Sequence, residues 1–193
     1  MIDYRSSIRT MRKAPLALET ARLVIRRPRT EDAWPIFERY AADPEATRYM
    51  AWPVHTTIND TYAFLTFSDV EWERWPAGPY VIFSRASGVL LGSTGFAFET
   101  THRAITGYIL ARDAWGQGYA TESLRAMVEL APTIGIRVLS ASTHVDHAVS
   151  GRVLEKCGFV KDGVLPRHMV FPNLDTHLPS DVMSYSLTLR RAG

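Results

Sequence analysis

The chain has 193 residues, with 22 lysines and arginines set against 20 aspartates and glutamates, a net charge of +2, and one cysteine. That length suits one compact domain burying roughly 70% of the surface its unfolded form exposes; Cys157 has no disulfide partner and no zinc-ligand spacing around it. No apolar run approaches the roughly 18 residues of a membrane span, and so small a net charge argues against nucleic-acid binding. The expectation is a cytoplasmic protein with no metal and with neither nucleic acid nor membrane as a partner, while a homodimer stays open.

Residues 1–16, with Arg5, Arg9, Arg12 and Lys13, read as a mobile basic tail, and 17–191 as a single domain. Leu23, Val24 and Ile25 predict a strand, and Thr30, Glu31 and Asp32 the start of a helix with acids at its positive end. From Trp34 to Trp75 the chain is helical in tendency, interrupted by Pro35, Pro44 and Pro53. Tyr80 to Arg85 and Val89 to Glu99 read as strands joined at Ser87-Gly88, and Thr101 to Arg103 turn into a third strand at Ile105 to Leu110, an antiparallel meander. Ala120, Leu124, Met127, Val128 and Ala131 recur at helical spacing, Gly135 ends that unit, and Val138 to Val145 predict another strand. Val149, Val153, Leu154 and Cys157 then line one side of a second helix, which Gly158 caps in the left-handed conformation. Phe159-Val160 and Val182 to Leu189 read as closing strands, separated by an irregular stretch containing Pro166, Pro172 and Pro179.

Between the third strand and the first of these two helices lies Trp115-Gly116-Gln117-Gly118-Tyr119-Ala120-Thr121. A strand that runs through a glycine turn into a helix is an anion site, because unpaired N–H groups and the positive helix end point to one place. The segment lacks the Gly-Lys-Ser/Thr end of a P-loop, and Thr121 stands where a dinucleotide fingerprint needs its third glycine. Two glycines alone fit a plain strand-to-helix turn equally well.

The order of four segments decides between these readings. Glu19-Thr20-Ala21-Arg22-Leu23-Val24-Ile25-Arg26, Gly107-Tyr108-Ile109-Leu110, Trp115 to Glu122 (WGQGYATE) and Ser150 to Phe159 (SGRVLEKCGF) together resemble the GNAT superfamily across roughly Leu18 to Arg190, and within it the RimJ/RimL-like branch. The resemblance implies an α+β fold: a GNAT-like mixed, mostly antiparallel central sheet flanked by helices, with a splayed central strand pair at the acyl-CoA site. It implies an acetyl-CoA-dependent N-acetyltransferase that passes the acetyl group to a small-molecule or peptide amine by direct attack in a ternary complex.

For the site, the resemblance implies backbone donors from Gly116, Gln117, Gly118, Tyr119, Ala120 and Thr121 to the coenzyme pyrophosphate. It places Leu110 and Arg112 on the strand that pairs with the pantetheine arm, the Leu110 N–H facing the acyl carbonyl. Trp115 replaces the usual first residue of the turn pattern, as is common in this branch. His147 stands where the last helix of relatives carries a coenzyme-binding asparagine and is expected, with Ser150, to contact the coenzyme in its place. Leu154 stands where many carry a tyrosine acid, so Ser150 or water inherits protonation of the leaving thiolate, with a first-turn serine satisfying local backbone groups as the alternative.

No motif marks the general base. Glu99, His102, His144 and Asp146 are the candidates, Glu99 the one put forward; a solvated strand-end charge is the plain reading for Glu99, and a helix cap for Asp146. Without a clear base the expected acceptor is an amine of low pKa, since an α-amine near 8 is roughly a tenth neutral at pH 7 and a lysine amine near 10.4 less than about a thousandth. Trp52 and Tyr80, in or beside the aromatic segment, are expected to meet the acceptor, with core packing as the alternative for each. Two other functions fit the same residues: an acyl-CoA-binding module that has lost chemistry, and an acyltransferase with another donor such as succinyl-CoA, for which Arg167 or His168 could meet the carboxylate.

Overall fold

The computed structural model describes residues 11–174 and 178–189. Leu23 and Ile25 are fully buried and their neighbours Val24 and Arg26 half so, the two-residue period of a strand facing a core. Eight such strands among the described residues form one sheet: β1 (Ala17–Glu19), β2 (Leu23–Arg26), β3 (Pro79–Ser84), β4 (Leu90–Phe98), β5 (Arg103–Leu110), β6 (Val138–His144), β7 (Val160–Met169) and β8 (Ser180–Thr188), in the spatial order β1-β2-β3-β4-β5-β6-β8-β7. Every neighbouring pair is antiparallel except β5 and β6.

The helices are α1 (Ala33–Ile36), α2 (Pro44–Thr47), α3 (Ile58–Arg74), α4 (Tyr119–Leu130) and α5 (Ala148–Lys156). Alternation along the strands sorts their side chains into two cores. Tyr80, Ile82, Leu110 and Leu139 pack with Leu124 and Met127 of α4 and Leu154 of α5, whereas Val81, Leu90 and Ile109 pack with Ile36 of α1 and Leu65 of α3. The sheet thus carries helices on both faces, as the α+β expectation required. Pro44 interrupts nothing, because it occupies the first position of α2, where no N–H is needed, and Asp43 caps that helix by accepting from Glu45 N and Ala46 N.

Four expectations about the chain need correction. The stretch just before residue 17 is docked: Lys13 Nζ donates to the Trp75 carbonyl (2.8 Å), Ala14 N to the Pro76 carbonyl (2.8 Å), and Ala14 is buried. The part of the expected basic tail at 1–10 lies outside the described residues. Tyr80 belongs to the core and to no substrate surface, because it is fully buried against Trp72 and its hydroxyl donates to the Pro15 carbonyl. Most of the stretch read as irregular before Pro172 is strand β7, which runs through Pro166 as the exposed outer member of a bulged hairpin with β8. On α5, Leu154 and Cys157 are buried as expected, but Val149 faces solvent and Gly151 turns inward in its place.

Gly92 on β4 lies opposite Leu110 on β5, and a Cβ there would overlap the Ile109 carbonyl oxygen and approach the Leu110 Cα. Because backbone cannot yield as a flexible side chain does, Gly92→Ala is expected to lose about 1–3 kcal/mol of stability in urea unfolding. Gly107→Ala on the next strand, where the same atom meets open space, should stay within about 1 kcal/mol of the parent.

Candidate active site

β5 and β6 pair only at Arg103↔Val138, Ala104↔Leu139 and Ile105↔Ser140. Beyond these the strands part, leaving a wedge that is closed near Ile105 and open between Leu110 and the turn after His144. Ala111 N donates to the Leu91 carbonyl (2.8 Å) on the β4 side, so strand alternation turns the N–H groups of Leu110 and Tyr108 the other way, into the wedge. The Leu110 carbonyl is already engaged, by Trp115 Nε1 at 2.9 Å. One rim of the wedge therefore offers backbone donors of the kind an extended amide chain requires.

At its open end the wedge runs into the glycine turn. Gly116 and Gly118 have φ of +72° and +80°, which side chains other than glycine's rarely adopt, and the space where a Cβ of Gly116 would lie is open. Glu122 is the first residue after the turn whose N–H finds a carbonyl, that of Gly118, so the donors of Gly116 through Thr121 have no acceptor among the described residues. Gln117 contributes no side chain to this donor set, since its Nε2 donates back to the Asp113 carbonyl (2.6 Å).

Two sets of charges brace the turn. Glu122 accepts from the Thr20 hydroxyl (2.6 Å), the Arg22 backbone N–H (2.9 Å) and Arg22 Nε (2.7 Å), while Arg22 also donates to the Gln117 carbonyl and lies over the Tyr119 ring. Partial burial alone would raise the Glu122 pKa, but these hydrogen bonds and the guanidinium outweigh it and hold the carboxyl below its usual value. On the other side, Arg112 Nε meets Asp43 Oδ2 (2.6 Å) and Arg39 meets Asp113 (2.8 Å), so the loop and the α1–α2 segment exchange one cation each. Arg112 is thereby held to Asp43 through Nε, while its side chain stays largely exposed. Apart from the quoted family segments, nothing in the sequence singled out Arg22 or Glu122, and nothing singled out Arg39 or Asp43. An acid in the first turn of α4 was the one signal available.

Ser150, in the first turn of α5, accepts a hydrogen bond from the Tyr108 hydroxyl across the wedge (3.1 Å), a partner sequence reasoning missed. His147 is the cap residue one turn earlier, and its ring stacks on Tyr49 (4.5 Å between centroids), which also stacks on His144 (5.3 Å). His144 in turn meets Phe171 edge-on. Leu154 is buried in the core. Trp52 is half-buried beside His55 in the loop after α2. Glu99 is not brought to this cluster. It lies in the turn before β5, an ion-pair partner of Arg103, at the closed end of a strand that runs about 24 Å to the open end. His102 sits in that same distant turn, Arg167 and His168 lie on β7, and the Asp146 side chain is exposed without capping α5. Among the described residues no group of three or more His, Cys, Asp or Glu is placed to hold a metal.

A slot lined by strand N–H groups that opens onto an N–H-lined, charge-braced turn suits a long ligand with amides at one end and an anion at the other. Comparisons with known proteins agree with that shape. A profile of the acetyltransferase (GNAT) domain matches residues 22–160. The uncharacterized N-acetyltransferase YoaA of Bacillus subtilis (strain 168) is 31% identical over 182 residues, 90% of this chain and 97% of its own length, and N-acetyltransferase p20 of Bacillus licheniformis is 28% identical over 77% of this chain and 84% of its own. Among solved structures, the microcin C7 self-immunity acetyltransferase MccE, in complex with acetyl-CoA and AMP, superposes with a TM-score of 0.78 at 20% identity, covering 91% of this chain and 98% of that one. The ribosomal L7/L12 α-N-protein acetyltransferase RimL, in complex with coenzyme A, does so with 0.77 at 21%, covering 91% and 97%. With the profile spanning β2 to the start of β7 and a relative at 31% identity along nearly its whole length, the chain belongs to the GNAT family of acetyltransferases.

Proposed function

We propose that this acetyltransferase takes its acetyl group from acetyl-CoA and gives it to an α-amino group of a peptide or small molecule, by direct attack while both are bound, in the manner of the RimJ/RimL-like branch. The observation that carries the proposal is the continuity of the donor-lined wedge with the braced glycine turn. The coenzyme supplies the thioester. The backbone N–H groups of Gly116 through Thr121 hold its pyrophosphate, and the unpaired strand donors along β5 hold its amide arm. The Leu110 N–H is directed into the wedge, where a fixed donor stabilises charge growing on a carbonyl oxygen.

Ser150 is the proton donor to the departing sulfur. By accepting from Tyr108 it is left with its own proton to give. Burial pushes the Tyr108 phenol up to about 12, so it stays protonated and remains a donor at neutral pH. Tyr49 and Trp52 form the wall on the acceptor's side. An α-amine preference also fits two structural neighbours, RimL and a ribosomal-protein-S5-alanine acetyltransferase from Vibrio fischeri. No helix among the described residues is long and apolar enough to cross a membrane, and we place the reaction in the cytoplasm.

Calorimetric titration should show acetyl-CoA binding, and coenzyme thiol should then be released when a peptide with a free N-terminus is added; binding of neither acetyl-CoA nor coenzyme A would sink the reading. Ser150→Ala is expected to lower kcat by about a hundredfold with little change in acetyl-CoA affinity, and Trp52→Ala to raise the acceptor KM while the coenzyme Kd stays put.

Glu122→Gln should weaken acetyl-CoA binding and lower the Tm at pH 7. A carboxyl whose folded pKa is depressed contributes stability above its unfolded value, and that contribution disappears as pH falls through the folded one. The Tm gap between parent and Glu122→Gln should therefore be full at pH 6–7 and close as the solution is acidified below about 4.3. A gap that stays constant to pH 3 would show that Glu122 acts through shape alone.

A further inference from the structure

The reaction as described leaves one proton without a destination, that of the incoming ammonium. We propose that His147 is the general base that removes it; this rests on the acetyl-transfer reading above. Four observations converge on this residue. His147 caps α5 at the open end of the wedge, one turn before Ser150, whose N–H donates to the His147 carbonyl (3.0 Å). Its imidazole is stacked at 19° on Tyr49, with 4.5 Å between the ring centroids. Neither ring nitrogen has a hydrogen-bond partner among the described residues, so a lone pair is available. The remaining candidates are spent or remote: Glu99 and His102 lie at the closed end, and the Nδ1 of His144 already accepts the Asp146 backbone N–H at 3.2 Å, which puts its proton on the other nitrogen and occupies its lone pair.

The groups around His147 keep it neutral. Partial burial, and then the like charge that His144 would carry, lower its pKa from the ordinary histidine value. Tyr49 presents its ring, and Arg48 lies 5.6 Å from that ring's centroid, adding positive potential. Asp146, in the same turn, is directed at His144 (3.6 Å) and is mostly exposed, and Tyr108 is a neutral phenol bonded to Ser150. At pH 7 the ring is ready to take a proton. The step balances: the ammonium N–H bond breaks and its proton goes to the imidazole nitrogen, and the freed lone pair forms the bond to the acyl carbon as the carbonyl pair moves onto oxygen. The oxyanion collapses with cleavage of the C–S bond, the sulfur takes the Ser150 proton, the second proton lost by nitrogen restores the Ser150 hydroxyl, and the imidazolium returns its proton to solvent.

This base also narrows the acceptor. Taking a proton from an α-ammonium near pKa 8 costs an imidazole below 6.5 somewhat more than 1.5 pK units, whereas a lysine ammonium near 10.4 costs about 4 or more. The structure thus favours α-amines on the strength of a residue the site contains.

The test compares two acceptors across pH 5.5–8.5: a short peptide with a free N-terminus, and a small alkoxyamine whose nitrogen is already neutral over that range. With the peptide, parent kcat/KM should be level from about pH 7.5 to about 8 and no longer climb there. In His147→Asn it should fall about a hundredfold at pH 7 and climb tenfold per pH unit to about 8, following the acceptor's own deprotonation. With the alkoxyamine, both proteins should give flat profiles within about threefold of each other. Equal loss with both acceptors, or a parent peptide profile that climbs steadily to pH 8, overturns the assignment, and the parent profile decides even where the variant folds poorly. Acetyl-CoA affinity is measured alongside by calorimetry: a variant that no longer binds the coenzyme makes His147 a coenzyme contact and overturns its role as base, leaving acetyl transfer intact. A parent that binds acetyl-CoA but acetylates neither acceptor removes the transfer reading and the base with it.

Discussion

Everything at this site follows from the parting of β5 and β6 after Ile105. Buried backbone N–H groups that lose a partner cost on the order of 1–3 kcal/mol each, so a sheet opens at its centre only where something else replaces the lost ladder. Here the replacement is partial. Trp115 returns one indole N–H to the Leu110 carbonyl, but the donors of Tyr108 and Leu110 remain for a ligand. The strands do not collapse into the gap because each is fixed from its other side: β5 pairs with β4 from Gly92↔Leu110 to Phe98↔Ala104, and β6 pairs with β8 along its entire length. The wedge is rigid because its two walls belong to two different ladders.

The charged groups near the wedge take their meaning from that geometry. Exposed ion pairs such as Arg22–Glu122 or Arg112–Asp43 contribute about 0–1 kcal/mol to stability, too little to account for the fold. What they do is hold a turn that makes few bonds of its own. Thr20 and Arg22 fix the start of α4 through one carboxylate, and Asp43 and Arg39 fix the loop ahead of it, so six donors stay aligned before any anion arrives. A site whose donors are ordered in advance has less ordering cost to meet on binding.

Elements whose residues report their own environment were legible in the sequence. The glycine turn announces itself because only glycine accepts the positive φ at 116 and 118, and the buried stripe of α4 repeats at helical spacing because one face meets the sheet. Tyr80 misled because an aromatic residue near a tryptophan-rich segment looks the same whether its hydroxyl faces a substrate or the Pro15 carbonyl. Strand β7 was hidden because almost every position along it is exposed, which erases the two-residue alternation, and the docking of Lys13 and Ala14 depends on carbonyls some sixty residues away. Glu99 failed on topology alone: a strand has two ends, and residue type does not say at which end the sheet opens.

The same distinction explains why the coenzyme side of such a site is readable and the acceptor side is not. The turn presents backbone donors, and its sequence is constrained by conformation, which any reader of φ can anticipate. The proposed acceptor wall is set by side chains distant in sequence. Asn173 donates from Nδ2 to the carbonyls of Thr47 (2.7 Å) and Trp52 (3.0 Å) and accepts from Val54 N (2.8 Å), so a single amide more than a hundred residues away fixes the loop that carries Tyr49 and Trp52. Phe171, two residues earlier, meets His144 at the end of β6. Changing that connection would move the wall without touching Gly116, Gly118 or the diverging strands. Acceptor choice can therefore change while the coenzyme machinery stands still, and a fold recognised by its turn leaves its substrate to be identified from the wall.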